Sequence, residues 1–391
     1  MRLVDVTELF LRELRARGLE QTWFSGPSVA KGPLRREYAN GIEIIVPPTF
    51  GGGFIGTAST RLAYWFFETV HLLRQRRLRP DAILVRDKYW AAVVGYFVAR
   101  SCGSRFMIWL SYPYPEHDTE DAGFASGWRR HLKLMRAWLG YRMLYRFAMR
   151  RADHCFVQSE QMQKDMLQWG IEPERMTPVP MGIANRFFDS FDVQALPAQP
   201  PVVLYLGTLA AVRKLEILVD AFAIVAAARP DVRFEFVGEG TVPADRLAME
   251  ARVRAAGLTD RVTFTGQLPM AIALEHVKCA AVCLSPFRPT PVLRVASPTK
   301  FIEYLALAKP TVGNQHPEHS MIAERSDGAV IVDWSPQGFA DGILWCLDHP
   351  EDAREMALRG RRWVKENRLY DRMADLVHTE MLRVLSAPPK P

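Results

Sequence analysis

Short apolar runs alternate with amphipathic stretches along most of the 391 residues. The runs predict strands at Thr22–Phe24, Ile42–Val46, Ala82–Val85, Phe106–Leu110, His154–Val157 and Thr177–Pro180. A second series follows at Val202–Leu206, Arg233–Val237, Val262–Thr265, Ala281–Leu284, Pro310–Gly313 and Ala329–Val332. Strands alternating with helical patterns in this way predict two doubly wound parallel sheets. The Pro-rich, polar stretch SFDVQALPAQPP, 190–201, reads as the link between them. A last helix is expected from about Leu369, with apolar residues at 369, 373, 376, 377, 381 and 384 on one stripe. A chain of this length is too long for one ordinary core, which agrees with two domains.

Two clusters in the second half carry candidate chemistry. SPTKFIEYLALAKPTVGN, Ser297 to Asn314, reads as a Pro-containing loop, a short amphipathic helix and a buried strand. A helix start presents unpaired N–H groups and partial positive charge, which suits a phosphate. Lys300 adds a full charge there, and Glu303, one turn in, has the two oxygens needed to accept ribose hydroxyls. An exposed Lys/Glu pair three apart has the same pattern. About ninety residues earlier, VVLYLGTLAAVRKLEILVDAF runs from an apolar strand through Gly207 to Arg213, Lys214 and a helix. Cations beside a Gly turn at a strand end are half of a nucleotide-binding unit. There is no G-x-G-x-x-G and no Walker lysine motif, and the VGEG at Val237 is too short to serve as a fingerprint. Phosphate binding would rest on side-chain cations and helix ends.

In order along the chain stand YLGTL at Tyr205, FEFVGEG at Phe234, VTFTGQLP at Val262, CLSPF at Cys283 and SPTKFIEYLALAKPTV at Ser297. Upstream lies VQSEQMQKDMLQWGIEPERMTPVPMGI, Val157 to Ile183. No single piece is specific, but the ordered set resembles the retaining GT-B-fold glycosyltransferases of family four, the group 1 glycosyl transferases. The resemblance covers residues 80 to 386 well and the first 80 poorly. It implies an α/β architecture of two Rossmann-like domains facing across a cleft, with a C-terminal helix crossing back. The domains would be 1–189 for the acceptor and 201–368 for the nucleotide-sugar donor, with 190–200 as linker and 369–391 as crossover helix and tail.

The same resemblance implies the roles. Arg213 takes the place of the family's donor lysine and, with Lys300, would neutralise the departing diphosphate, while Glu303 holds the ribose. Gly207, Thr208, Gly238, Gly266, Gln267 and Leu268 would line the donor, and Ser297, Pro298 and Thr299 the phosphates. His316 and Glu318, in the loop after a later strand, are further donor candidates, although a Pro-containing polar turn explains them equally well. No metal site and no cofactor are expected beyond the nucleotide sugar itself. Three departures stand out. The first Glu of the family's Glu-x7-Glu motif falls at Val295. The N-domain histidine falls near Ser111, leaving His117, with Glu116 and Asp118, as an acceptor-side candidate. The third is a missing N-terminal Gly loop; Lys214, which falls where relatives usually have Gly, reads as merely solvated. These departures favour the alternative of an inactive GT-B module that binds a sugar nucleotide or scaffolds a glycan-biosynthesis complex. A nucleotide-sugar 2-epimerase on the same fold would need acid/base carboxylates and a histidine in order, which are not found.

The N-terminus is the other anomaly. MRLVDVT reads as a compressed first strand, yet Leu3, Val6, Phe10 and Leu14 also follow helical spacing. The helical reading is preferred. It leaves the central strand and its Gly loop absent, as a start codon assigned too far downstream would.

Composition adds limits. Apolar content is 49% and charged content 24%, ordinary for a soluble globular protein. No apolar run approaches a spanning helix and no cleavable signal peptide is seen. The five cysteines form no C-x-x-C pair, and three of them sit in apolar runs or a helix as buried thiols would, so a reducing cytoplasm is expected. Net charge is +7, and eight Arg/Lys with no Asp or Glu fall between Ala122 and Ala152, interleaved with Trp128, Trp138, Tyr141 and Tyr145. A basic, aromatic stretch of this kind, 128–151, suits the headgroup zone of an anionic membrane, and peripheral attachment at the inner face of the cell membrane is expected. A helix with its apolar stripe in the core and its cations solvated has the same sequence pattern. No nucleic-acid reader motif is present. The base, the sugar, the acceptor and the oligomeric state are not written in the sequence.

Overall fold

The computed structural model describes residues 6–27, 31–185, 188 and 199–388, without the side chains of Val6 and Phe54. The chain forms two compact units, Met1–Pro180 with Tyr370–Pro391, and Met181–Leu369. The division falls earlier than the expected 189/190. Ile183 pairs with Leu369, and Phe188 packs with Phe301, Ile302 and Leu305, so this run joins the second unit. Of the expected linker, residues 190–198 lie outside the described residues. The final helix, Tyr370–Ser386, belongs to the first unit, as the crossover reading has it.

The first unit holds β1 (Thr22–Phe24), β2 (Arg35–Ala39) and β3 (Ile42–Val46) in one sheet of order β1-β3-β2. The hairpin β2–β3 was not expected from the sequence. It turns on Asn40 and Gly41, both at positive φ (51° and 75°), as a two-residue turn between twisted strands requires. A second, all-parallel sheet has the order β4 (Ala82–Arg86), β5 (Arg105–Leu110), β6 (His154–Val157), β7 (Met176–Pro178). β5 and β6 are buried on both faces, which explains their unbroken apolar runs. Around these sheets lie α1 (Gly53–Leu78), α2 (Tyr89–Cys102), α3 (Tyr114–Gly123) and α4 (Gly127–Gly140). A π-helical segment, Tyr141–Met149, continues α4.

From Val6 the N-terminus is helical, the preferred of its two readings; Met1–Asp5 lie outside the described residues. Among the described residues no ladder joins β1 to β4, so the first unit's strands form two sheets rather than one. The π-helical segment Val6–Leu14 spans them with side chains. Leu9, Phe10 and Leu14 pack with Met107, Trp109 and Phe156 of the four-stranded sheet, while Leu11 packs with Ile42, Ile44 and Val46. Arg17 pairs with Asp371 and, at 2.8 Å, with Asp375 of the final helix.

The second unit is one parallel sheet of β8 (Val202–Leu206), β9 (Arg233–Val237), β10 (Val262–Gly266), β11 (Val282–Ser285), β12 (Thr311–Asn314) and β13 (Val330–Val332). Its order is β10-β9-β8-β11-β12-β13. The chain winds outward from β8 in one direction and then in the other from β11, so the switch point lies between those strands. In open sheets of this kind ligands bind outside the carboxyl ends at that point.

Candidate functional site

The carboxyl ends of β8, β9 and β10 are joined by glycines. The Gly207 N–H donates to Val237 O at 2.9 Å, and Gly238 bridges to Gly266. Gly238 has φ +145°, and a Cβ there would stand 1.9 Å from Gly207 O. Gly266 has φ +72°. Only glycine fits a backbone this close and this twisted, and Gly207, Gly238 and Gly266 lie together at the strand ends. Gln267 is exposed beyond them, and Leu268 is half-buried. Beside Gly266 a cavity of about 490 Å³ is lined by Glu239, Thr241, Val242, Arg246 and Glu250.

After β8 comes a short turn, Ala211–Arg213. The Arg213 Nε donates to Thr208 Oγ1 at 2.9 Å, and among the described residues its guanidinium has no carboxylate partner. Lys214 is exposed at φ 54°, in the left-handed region that glycine favours.

The helix Thr299–Ala306 is fixed against the same strand end. The Tyr304 hydroxyl, fully buried, accepts from the Leu206 N–H at 2.8 Å. Lys300, in the first turn, pairs with Glu303 at 2.7 Å. Both side chains remain partly accessible. The helix N-cap is Pro298, with no side-chain cap, so the opening amides belong to Thr299 and Lys300; Pro298 itself has no N–H. Val295 is buried on the turn Leu293–Val295, where a carboxylate would be costly.

His316 and Glu318 stand behind this loop. His316 is 3% exposed and bonds through Nε2 to Leu293 O at 2.9 Å, while its Nδ1 accepts from the Glu318 N–H. One nitrogen donates and the other accepts, so the ring is neutral, and burial pushes its pKa down to about 4. Glu318, 5% exposed, accepts from Ser297 Oγ at 2.7 Å and from Arg368 at 3.1 Å. Ser297 Oγ in turn accepts from the Met181 N–H. The structure therefore commits polar atoms of His316, Glu318 and Ser297 to holding the loop.

In the first unit, Ser111 ends β5 and lies on Asp87 at the end of β4. The Ser111 N–H donates to Asp87 Oδ1 at 2.7 Å, its hydroxyl donates to Oδ2, and Arg86 Nη2 donates to the Ser111 oxygen at 3.2 Å. Burial raises the Asp87 carboxyl, and its backbone sits at φ 56°. Next to it Lys88 donates to the Tyr64 hydroxyl, which donates to Glu68 at 2.6 Å. Arg86, Asp87 and Lys88 were missed in the sequence, although three charges closing an apolar strand are a legible signal. His117 is half-exposed on α3, 3.2 Å from the Tyr112 hydroxyl. Glu116 is bonded to Tyr145 at 2.8 Å and Asp118 lies 3.6 Å from Arg136. Among the described residues no three His, Cys, Asp or Glu side chains are grouped to hold a metal ion, and the described cysteines are free.

Two family models match this chain. The one described as "Glycosyl transferases group 1" covers residues 200–349, and a "Glycosyl transferase 4-like domain" covers residues 4–182. The chain belongs to the group 1 glycosyltransferases. It is 30% identical over 237 residues to the 2-deoxystreptamine glucosyltransferase of Streptomyces kanamyceticus, covering 56% of each chain. The chain spans about half the length or less of the curated relatives it matches. Among solved structures, sucrose-phosphate synthase from Thermosynechococcus elongatus superposes with a TM-score of 0.69 at 16% identity, over 97% of this chain and 92% of that one. The Anabaena protein HepE, in complex with UDP and glucose, superposes with a TM-score of 0.62 at 16% identity, over 88% and 87%. These likenesses identify the fold of this group 1 glycosyltransferase as GT-B, with two Rossmann-like domains.

Proposed function

We propose that the chain is a retaining glycosyltransferase that moves a hexosyl group from a nucleoside-diphosphate sugar to a glycan or lipid-linked glycan. The observation that carries this reading is the Leu206–Tyr304 hydrogen bond. It seats the helix bearing Lys300 and Glu303 at the end of β8, the strand whose following turn carries Arg213. Two cations and the opening amides of a helix then flank one strand end at the switch point, where a diphosphate suits both charge and geometry. HepE, of the same fold and known with UDP and glucose, supports a nucleotide-sugar donor.

On this reading the bond between the sugar's anomeric carbon and the diphosphate oxygen breaks, and the acceptor hydroxyl bonds to the same face. The acceptor's proton passes to the departing phosphate oxygen. Arg213 and Lys300 stabilise the negative charge that develops there, the task a divalent ion performs elsewhere, so metal independence is part of the proposal. Lys300 exchanges Glu303 for a phosphate oxygen as the donor arrives, which leaves the Glu303 carboxylate to accept ribose hydroxyls. His316 and Glu318 keep the Ser297 loop in register. Ser111, held by Asp87, and the half-exposed His117 are the acceptor-side groups.

Thermal unfolding of the whole chain against UDP, GDP and ADP, without added metal, tests the site. One nucleotide should raise the midpoint by mass action, and Lys300→Ala and Glu303→Ala should remove the rise. No rise with any of them, from folded protein, would end the donor-site reading. Binding without transfer to any acceptor would favour an inactive sugar-nucleotide module.

A further inference from the structure

α4 is amphipathic in reverse. The residues it buries are small, Ala137 and Gly140. A Cβ on Gly140 would stand 2.7 Å from Tyr89 and 2.8 Å from Pro115, so the helix lies tightly on its neighbours through these small residues. Its large apolar residues turn outward. Trp128 is 71% exposed, Leu132 42%, Met135 50% and Trp138 56%, and Phe124 in the preceding turn is 77% exposed. Trp128, Leu132 and Met135 recur at i, i+4 and i+7, one face of the helix, with Trp138 three residues on. The alternative of a core-facing stripe fails for α4. It holds only for the segment that follows, where Leu144, Tyr145, Ala148 and Met149 are buried.

Cations border the exposed stripe. Arg129 lies over the Trp128 ring at 5.8 Å and Arg142 over Trp138 at 5.2 Å. Lys133 and Arg136 face Asp121 and Asp118, at 2.8 and 3.6 Å. Arg129, Arg130, Arg142 and Arg146 are exposed with no carboxylate partner among the described residues, and no Asp or Glu occurs from 122 to 152. A soluble helix ordinarily turns such a stripe inward, so the exposed face calls for an occupant that is apolar and negatively charged together.

We infer that α4 docks the protein on an anionic lipid bilayer, with Trp128, Leu132, Met135 and Trp138 at the acyl boundary and the arginines among the headgroup phosphates. Tryptophan suits that boundary, and unpaired arginines suit a negative surface. A nucleic acid would satisfy the arginines but offers no apolar layer for Leu132 and Met135. A second copy packed through a two-fold axis would set like-charged helices against each other. Among the described residues no helix is long and apolar enough to cross a membrane, so attachment through α4 would be peripheral. The inference stands independently of the donor site.

The test is flotation of the full chain with phosphatidylcholine vesicles, pure or carrying about one-third phosphatidylglycerol. The anionic vesicles should bind at least about tenfold better, and less well as salt rises. Trp128→Ser with Trp138→Ser, and separately Arg129→Gln with Arg130→Gln, should each lower binding by about tenfold or more. The altered side chains are exposed, so the unfolding midpoint should stay in place. Trp345→Ser, an exposed change in the second unit, should leave binding as it was. Equal binding to neutral vesicles, no vesicle binding, or binding unchanged in both double variants would overturn the inference. A dimer abolished by the tryptophan variant, or an RNA oligonucleotide bound in place of vesicles, would do the same.

Discussion

At Gly238 a methyl group would stand 1.9 Å from the Gly207 carbonyl oxygen, on a backbone at φ +145°. Gly238→Ala should therefore cost about 3 kcal/mol or more and abolish any nucleotide-dependent rise in the unfolding midpoint, both read by thermal unfolding. His316 predicts a pH dependence. Its pKa lies at about 4 in the fold against an ordinary 6.5, so the unfolded chain binds the proton more tightly. Stability from this site is complete above pH 6.5 and is lost as pH falls toward 4, by about 3 kcal/mol in all. The buried His319, also lowered, acts in the same direction. Denaturant midpoints measured between pH 7.5 and about 4.5 should show the decline, and His316→Asn should flatten it while keeping an acceptor for the Glu318 N–H. Glycines and cations at strand ends could be read from the sequence, because each has a chemical reason to be there. That His316 and Glu318 would be buried behind the loop could not, since burial is decided by distant partners such as Arg368 and Leu293.

Among the elements, the strands of the second unit were legible almost to the residue. The central β8 and β11 are buried on both faces and write themselves as nearly unbroken apolar runs. β2 was missed because RREYA carries no such run; its pairing is set by the Asn40–Gly41 turn and by cross-strand pairs such as Arg36–Glu43 at 2.8 Å. α4 shows the opposite limit. An amphipathic pattern states that a helix has two faces, not which one is turned inward. The helix Thr299–Ala306 owes its place to Tyr304, and Tyr304→Phe would leave the Leu206 N–H buried without that acceptor. The expected loss is about 1–3 kcal/mol in denaturant unfolding, with a weaker nucleotide response than a surface change of equal cost.

For the molecule as a whole, the order of β-strands and helices announced two Rossmann-like units, and the family models match one half each. The two sheets of the first unit, counted among the described residues, agree with the helical reading of the N-terminus, which placed no strand between them. Phe10 lies at that division, 5.0 Å from the Trp23 ring and 4.7 Å from the Trp109 ring. Phe10→Ala should cost about 3–5 kcal/mol, measured by chemical unfolding. Where β5 and β6 are tied by main-chain bonds on both sides, β1 and β4 each have a ladder on one side only among the described residues, and side chains of the Val6–Leu14 segment pack across the interval. Packing of that kind can loosen without breaking a ladder. In deuterated solvent the amides of β1 and β4 should therefore trade their protons well before those of β5, so that the first unit opens in two steps, with the β1–β3 sheet leaving first.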